Sequence, residues 1–294
     1  MTGPTAQSRQ AGPRPGPGTR ERMRRAPVET GLGMVPDPSS TRQRVVLRAP
    51  LHDDVRTPDG GVLAVLPALL ADSGIGYLVF STARLVAGAP TVDLRLDFTA
   101  PPSPDARWLT AELSLLHLDE QTGVGRAEIR DDTGVVVAHV VATMALTGVP
   151  SRPGGLADPG SAGAGDPAAA PDEDFRAALP PFDPARLQHL ERDGDDGDVV
   201  FTPGPSTANL NGTTHGAVLS GLAAAAQRSH PGGEGARPLS LTVDFLRPVQ
   251  VEARLRARTT AIRDGRRFRT LQTELLLPDG RPAVRAVGTS LRVR

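Results

Sequence analysis

The sequence contains no cysteine and no lysine, and it has few aromatic residues. Without cysteine, the chain can form no disulfide and offers no thiolate for nucleophilic catalysis or metal binding. The absence of lysine excludes a Schiff-base mechanism and leaves arginine as the only strongly cationic side chain. Aromatic residues make up 3% of the chain, too few for a surface that stacks on nucleic-acid bases.

Charge and hydropathy argue against two further classes of partner. The 33 basic and 33 acidic residues cancel, so no broad field favours nucleic acid or an anionic membrane. The longest apolar stretch, residues 61 to 80, is interrupted by Pro67, Asp72 and Ser73 and is too polar to span a bilayer. The N-terminal region has basic residues but not the apolar core of a signal peptide. We therefore expect a cytoplasmic protein without nucleic-acid or membrane partners.

Two segments are rich in proline, glycine, alanine or arginine and carry too few apolar residues to form a core. We interpret residues 1–40 as a disordered tail and residues 150–181 as a flexible linker. The predicted folded domains are residues 41–149 and 182–294. Limited proteolysis should cut first in the tail and the linker.

The two predicted domains repeat each other. "LRLDFTAP" (94–101) matches "LTVDFLRP" (241–248) at an offset of 147 residues, and "DTGVVVAHVVATMAL" (132–146) matches "PDGRPAVRAVGTSLR" (278–292) at an offset of 146. Each half shows a short strand, a loop, a helix of small residues and four extended segments. The predicted helices span about 61–72 and 216–229. The predicted strands are 43–49, 91–99, 108–117, 124–131 and 135–147, then 198–203, 239–246, 251–262, 266–277 and 282–293. One helix packed on an antiparallel sheet gives an α+β fold in each half.

Several blocks carry a family resemblance. The second half contains "NLNGTTHGAVLSGL" (209–222), followed by "VDFLRP", "DGR" and "AVGTSL", and the first half contains "PDGGVLAVLPALLADSGIG", "LDFTAP" and "VVATMAL". These blocks resemble the hotdog-fold acyl-CoA thioesterases of the phenylacetate-pathway type. The resemblance implies two tandem hotdog domains, each an antiparallel sheet wrapped around a central helix. They would form an intrachain pseudo-dimer, with the sheets joined edge to edge or side by side. It also implies hydrolysis of acyl-CoA thioesters, without a cofactor, at a site between the halves.

The resemblance also assigns catalytic roles. Gly216 and its neighbours at the helix N-terminus would hold the thioester carbonyl as it gains negative charge. Asn211 would position the water or the acyl group, and His215 would place or polarise the carbonyl. A carboxylate on the helix of the other half would act as general base or nucleophile.

The position of that carboxylate departs from the family pattern. In relatives it follows the histidine by nine residues, which here is Ala224. If Asp59 takes the place of His215 in the first half, the corresponding position there is Ala68. The nearest acid is Asp72, which would fit if the first helix has gained one turn at its start. Asp72 would then face Asn211 and His215 across the pseudo-dimer; the alternative is that Asp72 is an acid at the helix end or in a loop, without a catalytic role.

Substrate-binding candidates are Asp59, Gly60, Gly61, Ser220 and Arg281. Asp59 and the two glycines also fit a helix cap with a tight turn, and Ser220 also fits a small packing residue. Arg281, like Arg266, Arg267 and Arg285, would suit the phosphates of coenzyme A, although a solvated strand face explains these arginines equally. His117 and His139 lie in predicted strands, separated from any Asp/Glu/His cluster with the spacing of metal ligands, so we predict no metal site.

Two other functions stay open on the sequence. A non-catalytic module that binds acyl thioesters would explain alanine at both expected acid positions. An enoyl-thioester hydratase or dehydratase would use the same fold, but it needs an acid near His215, where the chain has Leu210 and Asn211. The distance between Asp72 and His215 should discriminate between these functions. Association of double-hotdog chains into a homo-oligomer is a further expectation.

Overall fold

The computed structural model describes residues 26–40, 44–152, 180–193, 198–233 and 235–292. The proteolysis prediction, and most of the predicted tail and linker, lie outside these residues. The first half contains α1 (Pro27–Gly31), β1 (Val35–Pro36), β2 (Val45–Pro50), α2 (Val65–Thr82), β3 (Thr91–Phe98), β4 (Trp108–Leu118), β5 (Thr122–Asp131) and β6 (Val136–Ala145). The second half contains β7 (Glu191–Asp193), β8 (Asp198–Phe201), α3 (Gly216–Ser229), β9 (Arg237–Phe245), β10 (Leu255–Asp264), β11 (Phe268–Leu276) and β12 (Pro282–Leu291).

The described strands form one antiparallel sheet in the order β1-β2-β4-β5-β6-β3-β9-β12-β11-β10-β8-β7. The order of the second half mirrors that of the first. The halves meet where β3 pairs with β9, and Arg95 lies opposite Thr242 in that ladder. These two residues are separated by 147 positions, the offset of the sequence repeat, so a pseudo-twofold axis passes between them. The predicted double hotdog with edge-to-edge sheets is therefore confirmed.

Helices α2 and α3 pack against each other inside the curved sheet. A Cβ atom on Gly221 of α3 would lie 2.7 Å from Cβ of Val65, so glycine permits this close helix contact. Helix α2 is long and apolar enough to be a candidate membrane span by length and composition, but 72% of that span is buried inside the protein. It is the central helix of the first half.

Helix α2 differs from its predicted bounds of 61–72. It begins at Val65 and continues to Thr82, because Gly74 and Gly76 do not interrupt it as glycine often does. A Cβ atom on Gly74 would lie 2.6 Å from Cδ1 of Leu113, so the sheet packs directly against the helix backbone at that point. Tertiary packing therefore outweighs the low helix propensity of glycine here.

The prediction of a disordered tail through residue 40 is wrong for its last part. Helix α1 is short, but Val28 and Leu32 are buried in the common core. The backbone N–H of Phe182 donates to the carbonyl oxygen of Pro27, so this segment also contacts the second half. The apolar residues in "PVETGLGMV" are enough to dock the segment, and they bring Glu29 into the interior.

Candidate functional site

A cluster of polar side chains, buried except for the half-buried Thr91, lies between α2 and the N-terminus of α3. It consists of Glu29, Asp72, Ser73, Thr91 and His215. The first four belong to the first half and His215 to the second. The sequence predicted that Asp72 and His215 would meet, and Oδ2 of Asp72 lies 3.4 Å from Nδ1 of His215.

Asp72 lies near the middle of α2 and is only 6% exposed. The hydroxyl of Thr91 donates to Oδ1 of Asp72 over 2.6 Å. Burial raises the pKa of Asp72, and the charge of His215 and the Thr91 hydrogen bond offset this only in part. A carboxylate whose pKa is raised is a stronger base than an exposed one, which suits it to accept a proton near neutral pH.

His215 is the N-cap residue of α3. When the ring is neutral, the backbone N–H of Ala217 donates to Nδ1 of His215 over 3.0 Å, which assigns the single ring proton to Nε2. Nε2 lies 3.1 Å from Oγ of Ser73 and 3.5 Å from Oε1 of Glu29. Both ring nitrogens therefore face protein atoms. The resemblance implied that His215 places or polarises the substrate carbonyl, but this geometry favours a role in holding Asp72 and the helix N-terminus.

Glu29 is a member of the cluster that the sequence reasoning missed. Ser73 donates a hydrogen bond of 2.8 Å to its Oε1. Burial alone would raise the pKa of Glu29, but the charge and hydrogen bond of His215 outweigh burial and lower it. Burial alone would likewise lower the pKa of His215, but Glu29 first and Asp72 second raise it. The pair therefore favours an ionised glutamate beside a histidine that holds its proton strongly.

Gly216, the first residue of α3, leaves space for the carboxylate. A Cβ atom on Gly216 would lie 2.8 Å from Oδ2 of Asp72 and 3.2 Å from Cζ of Phe245. Among the hydrogen bonds of the described residues, none uses the backbone N–H of Gly216. An unpaired N–H at the positive end of a helix can stabilise a developing anion.

The cluster opens into a cavity of about 470 Å³, called here the large cavity. Asn211 lies at its exposed rim, where its Nδ2 donates to the carbonyl oxygen of Gly88 over 3.3 Å. Much of the remaining wall is apolar and comes from both halves, including Phe80, Met144 and Phe245. The cavity is therefore a cleft between the halves with a polar cluster at one point of an apolar wall.

The predicted substrate-binding residues do not lie in this cavity. Asp59 and Gly61 line a different, smaller cavity, and Gly60 forms the adjacent turn with a φ of +80°. Ser220 is fully buried and donates to the carbonyl oxygen of Gly216, as expected of the packing alternative. Arg281 is exposed in the hairpin between β11 and β12, where it pairs with Asp279. The described contacts give these residues no link to Asp72, and their substrate-binding role stays a prediction.

The loops before the two helices correct one step of the sequence alignment. Arg56 pairs with Val62 in the first loop, and Ala208 pairs with Thr214 in the second. Both give an offset of 152 residues (208 − 56 and 214 − 62). The counterpart of His215 is therefore Leu63, not Asp59. Asp72 then stands nine residues after that counterpart, where the family pattern requires an acid.

No extra turn at the start of α2 is needed, because α2 and α3 begin within one residue of equivalent positions. The additional length of α2 lies at its C-terminal end. Ala68, which the earlier alignment placed at the acid position, is simply a buried residue in the first turn of α2. Ala224 is the true counterpart of Asp72, so one half has kept the acid and the other lacks it.

The small cavity, of about 100 Å³, is the pseudo-twofold counterpart of the large one. Equivalent residues in the walls of the two cavities are separated by 152 positions in the loops and helices and by 147 positions in β3 and β9. Asp72, Gly76, Thr91, Asn211, Gly216 and Phe245 of the large cavity correspond to Ala224, Arg228, Pro238, Asp59, Ala64 and Phe98 of the small one. The small cavity therefore has neither the acid nor the hydroxyl that donates to it.

The described ranges offer no metal centre. No group of three or more histidine, aspartate or glutamate side chains there could hold a metal ion.

Two family models match the chain. The model described as the acyl-CoA thioesterase N-terminal domain matches residues 205–291, and the one described as the acyl-CoA thioesterase C-terminal domain matches residues 3–146. Together they match more than half of the chain, in the reverse of the order that their names imply. Each half contributes one wall to each pseudo-twofold cavity, so either order of the halves can build the same site.

Three solved structures share the fold over most of their length. A protein described as a thioesterase from Novosphingobium aromaticivorans is 16% identical, with a TM-score of 0.57, and the match covers 88% of this chain and all of that one. The tesB protein of Mycobacterium avium subspecies paratuberculosis is 11% identical, with a TM-score of 0.56 and coverage of 90% and 97%. The 12:0-ACP thioesterase of Umbellularia californica is 15% identical, with a TM-score of 0.54 and coverage of 85% and 94%. No curated protein matches the sequence.

Proposed function

Because this chain belongs to the hotdog-fold acyl-CoA thioesterase family, we propose that it hydrolyses acyl-CoA thioesters at the Asp72–His215 cluster between its two halves. The observation that carries the location is the approach of Asp72 on α2 to His215 at the start of α3, 3.4 Å apart. The substrate would lie in the large cavity, the wider of the two pseudo-twofold cavities.

Asp72 is the proposed general base. Its Oδ1 accepts the Thr91 hydroxyl, which leaves Oδ2 to take a proton from a water molecule. That water attacks the thioester carbonyl to give a tetrahedral intermediate. The C–S bond then breaks, and the protonated Asp72 returns its proton to the leaving sulfur, which releases the free acid and the thiol of coenzyme A. The raised pKa of Asp72 supports this role, because it increases the affinity of the carboxylate for the proton of water.

The N-terminus of α3 is the proposed site for the oxygen that gains charge. Gly216 begins α3 beside the carboxylate of Asp72, and the dipole of this 14-residue helix adds positive potential there. Preorganised donors of this kind stabilise the tetrahedral intermediate of acyl transfer. His215 contacts both Asp72 and the first turn of α3 through Nδ1, while its Nε2 faces Ser73 and Glu29.

The two alternatives are less well supported. Alanine at both expected acid positions would favour a binding module, but Asp72 stands at one of them. A hydratase would need a histidine free to exchange protons with the substrate. Both ring nitrogens of the 5%-exposed His215 are engaged by protein atoms.

The decisive measurement is release of coenzyme A by the purified protein from a panel of acyl-CoA substrates, followed with a thiol-reactive dye. The chain has no cysteine, so the protein itself gives no background signal. Asp72→Asn should lower kcat by on the order of 10²–10⁴ while leaving the affinity for the substrate largely unchanged. Asp97→Asn, an exposed aspartate on β3 paired with Arg95, is the control and should have wild-type turnover. Unchanged turnover in Asp72→Asn would reject Asp72 as the base, and an inert wild type would favour the binding module.

The finer features of the function are proposals of the same kind. Phenylacetyl-CoA in the substrate panel tests the phenylacetate-pathway subtype. Light scattering of the purified chain tests for homo-oligomers, and fractionation of cells tests cytoplasmic location.

A further inference from the structure

The large cavity continues along α2 beyond the carboxylate of Asp72. Gly76 lies one helical turn further on the same face, and Tyr77 and Phe80 follow it along the wall. Met144 of β6 lies opposite Gly76. This part of the cavity is lined mainly by apolar atoms, so it suits a hydrocarbon chain rather than the polar body of coenzyme A.

Gly76 differs from the other helical glycines of the described chain. A Cβ atom would meet a neighbouring atom at less than 3 Å at four positions, which are Gly31, Gly74, Gly216 and Gly221. At Gly76 the nearest neighbour would be Cε of Met144 at 3.9 Å, an ordinary contact. Packing therefore does not require a glycine here. Alanine would also favour the helix by about 1 kcal/mol. What the glycine does provide is open space in the cavity wall.

The second half shows the effect of a large side chain at the same place. The counterpart of Gly76 at the offset of 152 is Arg228 of α3, which lines the small cavity with Asp59 and Ala224. Arg228 is half-buried. Asp59, which also lines the small cavity, occupies the position that Asn211 has in the large one. The cavity with glycine measures about 470 Å³ and the cavity with arginine about 100 Å³.

We propose that Gly76 is the residue that determines how long an acyl chain this site accepts, the substrates being thioesters of extended, apolar acyl groups. The inference rests on the proposed function, since it places the acyl chain in the large cavity beyond Asp72. The acyl chain of the substrate runs past the carboxylate of Asp72, over Gly76 and toward Phe80 and Met144. Each methylene of the substrate that is buried there adds binding free energy.

The test is kcat/KM and equilibrium binding for saturated acyl-CoA substrates from acetyl to palmitoyl, in wild type, Gly76→Ala and Gly76→Leu. In the wild type, kcat/KM should rise about fourfold for each methylene added to the acyl chain, until the acyl chain fills the large cavity. The four-carbon side chain of leucine should end this rise about three to four carbons earlier. The longest substrates should therefore lose on the order of 10² in kcat/KM, and the shortest should be hydrolysed normally. Gly76→Ala should show the same pattern with a loss of about fourfold, so the test survives if the leucine variant does not fold.

Arg228→Leu is the matched control, because it places the same side chain at the equivalent position of the small cavity. It should leave the chain-length profile as in the wild type. An unchanged profile in Gly76→Ala and Gly76→Leu would overturn the role of Gly76, whereas the proposed function would stand. If the wild type hydrolyses no acyl-CoA, the proposed function fails, and the same chain-length series measured by calorimetric binding decides the role of Gly76 alone.

Discussion

Replacement of Glu29 by glutamine should reveal how much its buried pair with His215 contributes to stability. Glutamine keeps the size of the side chain and an oxygen that can accept from Ser73, so the change removes mainly the negative charge. The side chains of Glu29 and His215 are 3% and 7% exposed, and Oε1 lies 3.5 Å from Nε2. Solvent therefore screens the pair little. Removing one partner of a buried pair costs about 3–5 kcal/mol when the other keeps its charge.

The loss should depend on pH in a defined direction. The pKa of His215 is raised above 6.5, so its contribution is fully present below pH 6.5 and is lost as the pH rises through its folded-state pKa. The pKa of Glu29 is lowered below 4.5, so its contribution is present above pH 4.5 and is lost as the pH falls through its folded-state pKa. Glutamine should therefore destabilise the protein most between pH 4.5 and 6.5. Above the folded-state pKa of His215 the imidazole is neutral, and the loss should fall to that of a hydrogen bond, about 1–2 kcal/mol.

Urea unfolding of wild type and Glu29→Gln at about pH 5.5 and about pH 8.5 measures this difference. Glu112→Gln is the control, because Glu112 forms an exposed pair with Arg44 in which each side chain is 52% exposed. That variant should change little at either pH, since solvent screens its pair. A larger loss in Glu29→Gln at the higher pH would refute the buried ion pair.

Three further changes test the groups around Asp72. His215→Ala should lower both turnover and the melting temperature, whereas His215→Asn, which can still cap α3, should lower turnover alone; equal melting temperatures for the two variants would contradict the capping role. Thr91→Val removes a hydrogen bond that lowers the pKa of Asp72, so the acidic limb of the pH profile of kcat/KM should move to higher pH. An acidic limb that stays in place would show that Thr91 does not tune the pKa of the catalytic base. Gly216→Ala should reduce kcat while changing the melting temperature little, because the alanine methyl group would displace the carboxylate of Asp72. A variant with full activity would show that the site has room for the methyl group.

Much of the fold followed from local pattern. Alternation of polar and apolar residues identified the long strands, and the run of small residues beginning at Gly216 gave the bounds of α3 correctly. The hairpin turns at Gly134 and Gly280 use positive φ angles, as their sequences imply. Two matching segments at nearly one offset disclosed the duplication, and a duplicated hotdog predicts a pseudo-dimer. These features depend on residues close together in the chain, which is why the sequence alone determined them.

The composition of the site was decided by the tertiary structure. Its members come from separate segments around Glu29, Asp72, Thr91 and His215, and no periodicity links residues so far apart. Glu29 was missed because a short apolar segment inside a proline- and glycine-rich tail gains its stability only by docking on the second half. Asp72 was first aligned with a four-residue slip, because only the backbone bridges of the two loops identify equivalent positions. The sequence determined two similar halves, and the packing of those halves decided that the cavity beside Asp72 and Gly76 is wide while its counterpart beside Ala224 and Arg228 is nearly filled.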